Sequence, residues 1–316
     1  MYLSALSVTR SRISLGSGRI VEATVSGLKD GIPLVFHHGT PGSLLLFEPF
    51  IKATLARGLR YVSYSRPGYG NSTRQPARTI ADCSVDTGKI LDQLGVDSFY
   101  AIGWSGGGPH ALACAALLPK RVIAASTIAG VAPYGSRDLD WLAGMGKENI
   151  EEFQAALAGP DELRTFLERA TAALAEVTSE QIVSSFGDLI DDVDKAALTG
   201  EFGSFLAENT REALRNGFWG WLDDDLAFTR DWGFDLSRIN VPVNVWQGGK
   251  DRMVPFAHGR WLSQRLPNAR VHLLPEHGHL SLAIGSFSKI LDDLTASGRG
   301  WRKSAQLSVD SVRGSG

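Results

Sequence analysis

Cysteine is almost missing. The 316 residues contain two, Cys83 and Cys114, far apart and without CxxC or metal-ligand spacing. That excludes a disulfide framework and a cysteine-based zinc site, and two buried free thiols are expected instead. Charge of one sign is missing too. The 32 basic and 34 acidic residues leave a formal net charge of −2, with no basic stripe. Nucleic acid and anionic membranes are therefore not the expected partners. No run of about 18 apolar residues occurs, so no membrane span is expected. The opening MYLSALSVTR has neither the basic start nor the long apolar stretch of a secretory signal. With so little cysteine, the expected location is cytoplasmic. What is abundant is ordinary core material: 43% of residues are hydrophobic, enough for one large domain or a domain with an insertion.

The first third alternates strand-like and helix-like stretches. RIVEATVSG reads as a strand ending at Gly27, and IPLVFHHG as a strand buried on both faces. LLLFEPFIKATLARG reads as a helix stopping at Gly58, and LRYVSYSR as the next strand, closed by PGYGNS. Thr79 opens a helix with Asp82 in a partial capping box. SFYAIGWS, a helix to Leu118, and RVIAASTIAG follow. Such alternation argues for an α/β fold with a mostly parallel sheet flanked by helices. From about Ala132 to Gly233 the rhythm changes: Leu163, Leu167, Ala170, Leu174 and Val177 repeat at helical spacing. Strands resume with VPVNVWQGG and ARVHLLP. The expected domains are a core of 1–131 and 236–297, an inserted helical cap of 132–235, and a disordered tail of 298–316, where apolar residues are few.

One serine stands out. Gly103-Trp104-Ser105-Gly106-Gly107 fits G-x-S-x-G where a strand gives way to a helix. There a tight, strained turn projects the serine above the strand ends, and small neighbours let the chain segments crowd together. Trp104, the bulky second residue, is expected to pack on a neighbouring helix. Serine is a poor nucleophile alone and needs a base, held in turn by a carboxylate. His110, His258 and His272 fall inside regular patterns and are read as packing or surface residues. His277 and His279 flank Gly278 on the loop after the last strand, and residue pattern alone does not choose between them. Asp251 follows a strand and a Gly-Gly turn. Each candidate sits at a carboxyl end of a strand, where open parallel sheets bind ligands. His37 and His38, adjacent on a strand, point to opposite faces and make a poor metal pair; no metal or organic cofactor is expected.

From about residue 20 to 295 the chain resembles the α/β-hydrolase fold superfamily, in its capped form. The resemblance rests on the elbow, on His38-Gly39-Thr40-Pro41 after an early strand, on SRPGYGNS and on GGKDRMVP. It implies a catalytic triad of Ser105, Asp251 and His279, since that family's histidine comes last in such a loop, and an oxyanion hole from the amides of Thr40 and Gly106. Serine at the elbow suits acyl transfer on a small-molecule substrate, most simply ester hydrolysis. Two alternatives are a proline-type aminopeptidase and a triad-retaining ligand sensor with slow turnover. An amine-recognising peptidase needs a buried carboxylate in the cap. The run Asp223-Asp224-Asp225 reads instead as a solvated acidic helix end. Trp141, Trp219, Trp221, Trp232, Phe202, Phe205 and Phe218 are expected to help roof an apolar pocket.

Overall fold

Runs of apolar residues without alternation become strands covered on both faces. Phe99–Trp104 and Val122–Ile128 are buried at every position, as parallel strands between two helix layers must be. The computed structural model describes residues 8–198 and 200–313, with side chains as far as 300. Its strands are β1 (Val8–Gly16), β2 (Arg19–Ser26), β3 (Ile32–His37), β4 (Leu59–Tyr64), β5 (Phe99–Trp104), β6 (Val122–Ile128), β7 (Val243–Gly248) and β8 (Ala269–Leu274). They form one sheet in the order β1-β2-β4-β3-β5-β6-β7-β8. β1 and β2 pair antiparallel, as do β2 and β4; the remaining pairs are parallel.

The helices are α1 (Glu48–Leu55), α2 (Asp82–Gln93), α3 (Gly107–Leu117), α4 (Lys147–Ala158), α5 (Pro160–Leu174), α6 (Ile182–Ser185), α7 (Asp192–Ala197), α8 (Gly200–Ala213), α9 (Trp219–Phe228), α10 (Phe256–Arg265) and α11 (His279–Arg313). Strand alternation sorts the core into two clusters. Val35, Val62 and Val245 face one way, with Ile90 of α2, Leu112 of α3 and Leu262 of α10. Leu34, Tyr61 and Trp246 face the other, with Phe50 of α1 and Leu291 of α11. Each fully buried Leu or Ile contributes on the order of 1.5–3 kcal/mol of transfer free energy.

Several local readings shift. α1 begins at Glu48, with proline in its first turn, so the preceding Leu44–Phe47 stretch is irregular. Thr79 does not open α2, which starts at Asp82 with Ala81 at its N-cap and no side-chain cap; Asp82 Oδ2 instead accepts from the Thr79 amide at 2.7 Å and from its hydroxyl at 3.0 Å and closes the turn before the helix. Strand β1 was not legible, because its outer face alternates charged and polar residues that no periodicity rule singles out. Both cysteines are free and buried. Between β6 and β7 lie α4 to α9, and no strand among the described residues. α11 continues to Arg313, through most of the segment expected as a disordered tail; side chains from 301 and residues 314–316 lie outside the described residues. No helix is long and apolar enough to cross a membrane among the described residues.

The sheet order turns back at β3, which has β4 on one side and β5 on the other. The crevice at such a switch lies beyond the carboxyl ends of the strands. The loops after β3, β5, β7 and β8 carry His38 to Pro41, Ser105, Asp251 and His279 to that same edge.

Candidate active site

Ser105 follows β5 with φ +55°, in the left-handed region that a non-glycine residue rarely adopts. Holding it there costs about 1–3 kcal/mol, which the surrounding bonds must offset. The Ser105 amide donates to Ile128 O at 2.8 Å, and its carbonyl accepts from Gly108 N at 2.8 Å in the first turn of α3. The flanking glycines are steric necessities. A Cβ at Gly103 would lie 2.0 Å from Gly107 O, and one at Gly107 would lie 2.0 Å from His37 O.

His279 is the first residue of α11 and is 2% exposed. Its Nδ1 lies 2.9 Å from Asp251 Oδ2. Asp251 accepts three further bonds: from the amides of Met253 at 2.9 Å and Val254 at 2.8 Å, and from Gln247 Nε2 at 3.0 Å. These fix the carboxylate, and the carboxylate fixes Nδ1 as the protonated nitrogen, leaving Nε2 free to accept. Burial opposes charge on the ring, but Asp251, with Asp194 behind it, outweighs burial and raises the His279 pKa above its usual value. The Trp104 ring packs against His279 at 5.8 Å between centroids and against Phe202 of α8 at 6.3 Å. The elbow's bulky residue therefore lies against the imidazole as well as the expected helix. His277 is half-buried, and its Nδ1 has no hydrogen-bond partner.

Ser105 and His279 line one cavity of about 340 Å³, with Thr40 and Gly106 beside them. A Cβ at Gly106 would come within 2.4 Å of Thr40 Oγ1, and one at Gly39 within 3.5 Å of Ser105 Cβ, so the loop after β3 runs directly over the elbow. Of the aromatic residues expected to roof the pocket, Trp221 and Phe205 line the cavity; Trp141, Trp219, Trp232, Phe202 and Phe218 do not. Phe36, Phe47, Phe50 and Tyr61 of the core join them.

A family model for the alpha/beta hydrolase fold matches residues 32–285. The chain belongs to that family. Among the curated relatives, a non-heme chloroperoxidase from Streptomyces lividans is 29% identical over 234 residues, 73% of this chain and 78% of that one. A pimeloyl-[acyl-carrier protein] methyl ester esterase from Nitrosomonas europaea is 26% identical over 255 residues, 79% and 89% of the two chains. Among solved structures, an alpha/beta hydrolase fold protein from Chitinophaga pinensis superimposes with TM-score 0.65 at 18% identity, covering 92% of this chain and 96% of its own.

In this alpha/beta hydrolase the acidic run of α9 is not solvated. Asp223, Asp224 and Asp225 are 3%, 0% and 0% exposed. α9 is buried from Gly220 to Phe228, so no face of it is left for water. Asp223 pairs with Arg74 at 2.9 Å, and Asp224 gathers the most partners. Asp224 Oδ2 accepts from Arg66 Nη2 at 2.6 Å, Tyr69 Oη at 2.8 Å and Thr40 Oγ1 at 2.8 Å; Asp224 Oδ1 accepts from Arg78 at 2.6 Å. Burial works against the Asp224 charge, but Arg66 and Arg78 prevail and hold its pKa well below the usual carboxylate range. Arg66 also donates to the carbonyls of His38 at 2.5 Å and Gly39 at 2.9 Å. The loop over the elbow is thus pinned by an ion pair whose anion comes from the insertion. Sequence reading missed Asp224, Arg66 and Arg78. The available signal was the setting of the acidic run, between WGWL and LAF, which leaves no polar stripe beside it.

His38 donates Nδ1–H to Gly39 O at 2.7 Å and accepts from Arg66 N at 3.1 Å through Nε2. Burial and the Arg66 cation keep its pKa well below the usual imidazole value. His110 and His258 are fully buried packing residues, and His272 stacks on Trp246 at 3.8 Å, as their patterns suggested.

Proposed function

We propose that this hydrolase cleaves carboxylic esters of small-molecule substrates through an acyl-enzyme on Ser105. The observation that carries the reading is the His279–Asp251 bond, which leaves the other ring nitrogen free on the cavity that Ser105 lines. Ser105 Oγ attacks the acyl carbon while His279 Nε2 takes its proton. Asp251 stays ionised and stabilises the imidazolium. The negative carbonyl oxygen is received by the Thr40 and Gly106 amides. As the ester C–O bond breaks, His279 returns the proton to the leaving alcohol. Water, deprotonated by His279, then releases the acid and restores Ser105. The esterase among the relatives agrees with this class. The test is turnover of a p-nitrophenyl ester series by wild type and Ser105→Ala. The variant should fold and lose at least about 1,000-fold in kcat; retention of more than a few per cent would refute the nucleophile.

One observation favours a second reading, cleavage of an acyl group that carries a free amine. Glu152 of α4 lines the cavity and accepts from Trp221 Nε1 at 2.6 Å. Burial and the neighbouring Glu152 push the Asp225 pKa well above the usual carboxylate range, which favours a proton on this pair. A substrate ammonium could take the place of that proton. Preference for aminoacyl p-nitroanilides over every neutral ester, abolished in Glu152→Gln, would favour this reading.

A further inference from the structure

Asp194 has no place in the proposed triad, yet it is 0% exposed and lies against it. It belongs to α7, in the segment between β6 and β7. Its carboxylate accepts from the amides of His279 at 2.7 Å, Leu280 at 3.0 Å and Ser281 at 2.8 Å, and from Ser281 Oγ at 2.8 Å. Those amides are the unsatisfied donors of the first turn of α11. Ser281 Oγ in turn accepts from Gly278 N at 2.8 Å. A Cβ at Gly278 would lie 2.4 Å from Asp194 Oδ1, so only glycine lets the carboxylate approach this closely.

The position raises an electrostatic problem that Asp194 answers. A helix N-terminus carries about half a positive charge, which favours anions and disfavours cations in its first turn. His279 sits in that turn, and base catalysis requires it to become a cation. A buried carboxylate on the same amides cancels the unfavourable field. We propose that Asp194 is a positioning residue for the catalytic base: from the insertion it clamps the first turn of α11 and offsets the helix end where His279 must take up a proton. This rests on the reading of His279 as the base. It also means that the base is held in register only while α7 is docked.

The charged and titratable groups around His279 are Asp251 after β7, Asp194 on α7, and His277 with the Lys250–Glu276 pair on the neighbouring loops. Asp251 and Asp194 act on its ring as buried charges, and both raise its pKa.

The test compares wild type, Asp194→Asn, Ser281→Ala and His279→Ala on a p-nitrophenyl ester, with active sites counted by a serine-directed phosphonate. Asp194→Asn keeps the shape but removes the charge. Per labelled site, its kcat should fall about ten-fold or more with KM within about two-fold, and the rising limb of kcat against pH should move down by about half a unit or more. Ser281→Ala keeps the charge and loosens the clamp. Its kcat should fall about three-fold, with the limb unmoved. Asp194→Asn with a lower melting temperature but unchanged kcat and pH limb would reduce Asp194 to a purely structural role and overturn the proposal. If Asp194→Asn does not fold, Ser281→Ala decides, and an unchanged kcat overturns it. Activity in His279→Ala would instead remove the base assignment itself, a separate failure.

Discussion

At the scale of single residues, the proposed site depends on which of two neighbouring histidines faces Asp251. His279 Nδ1 is 2.9 Å from Asp251 Oδ2, while His277 has an unpartnered Nδ1. His279→Ala should lose about 1,000-fold or more in kcat/KM, and His277→Ala should stay within about five-fold. Equal losses in a steady-state assay would overturn the assignment. The pH dependence has a definite sign. Asp251 and Asp194 overcome burial and raise the His279 pKa, so the ring keeps its proton to higher pH than a free imidazole. The neutral base appears only above that pKa. Activity should therefore be low in acid and rise through a midpoint above the ordinary histidine value of about 6.5. A midpoint clearly below it would contradict the arrangement of charges. The residues now at the centre of the site were named from sequence because each stands in a local pattern: Ser105 between glycines after an apolar strand, Asp251 after a Gly-Gly turn. His279 needed the family resemblance as well. Asp194, Asp224 and Arg66 had no such pattern. They matter through contacts with residues distant in sequence, and a carboxylate on a short helix reads as surface until its donors are known.

Among the elements, the strands and helices of the core were legible from apolar runs and punctuation, because burial on both faces removes ambiguity. β1 and the acidic face of α9 were not, and for opposite reasons. β1 exposes a polar edge that resembles a loop, while α9 hides polar residues that resemble a surface. α9 joins the core through Asp224, whose two guanidinium partners are 1% and 3% exposed. Removing one member of such a group leaves buried charge without a counter-ion, at a cost of about 3–5 kcal/mol. Asp224→Ala should show that loss in chemical denaturation, together with reduced kcat, since Arg66 and Thr40 hold the loop over the elbow. A stability change under about 1 kcal/mol would mean that water reaches the guanidinium groups. The elbow should be just as intolerant. Gly107→Ala must move the His37 carbonyl by more than a bond length, and it should abolish soluble expression or activity, measured by yield and phosphonate labelling.

At the scale of the molecule, the two halves of the core are separated in sequence by α4 to α9, and that segment supplies carboxylates to two parts of the proposed site. Asp224 reaches the loop after β3, and Asp194 reaches the start of α11. The consequence concerns exchange of parts. Recombining this core with the helical segment of another member of the family would appear to change only the roof of the pocket. In fact a graft lacking an acid at the Asp224 position would strand Arg66 and Arg78 in an apolar interior, and one lacking an acid at the Asp194 position would leave the first amides of α11 without acceptors. Chimeras should therefore keep the parent's stability and kcat only when those two acids travel with the graft, as denaturation midpoints and ester turnover would show. This core accepts a new helical segment by its ionic fittings before it accepts one by its shape.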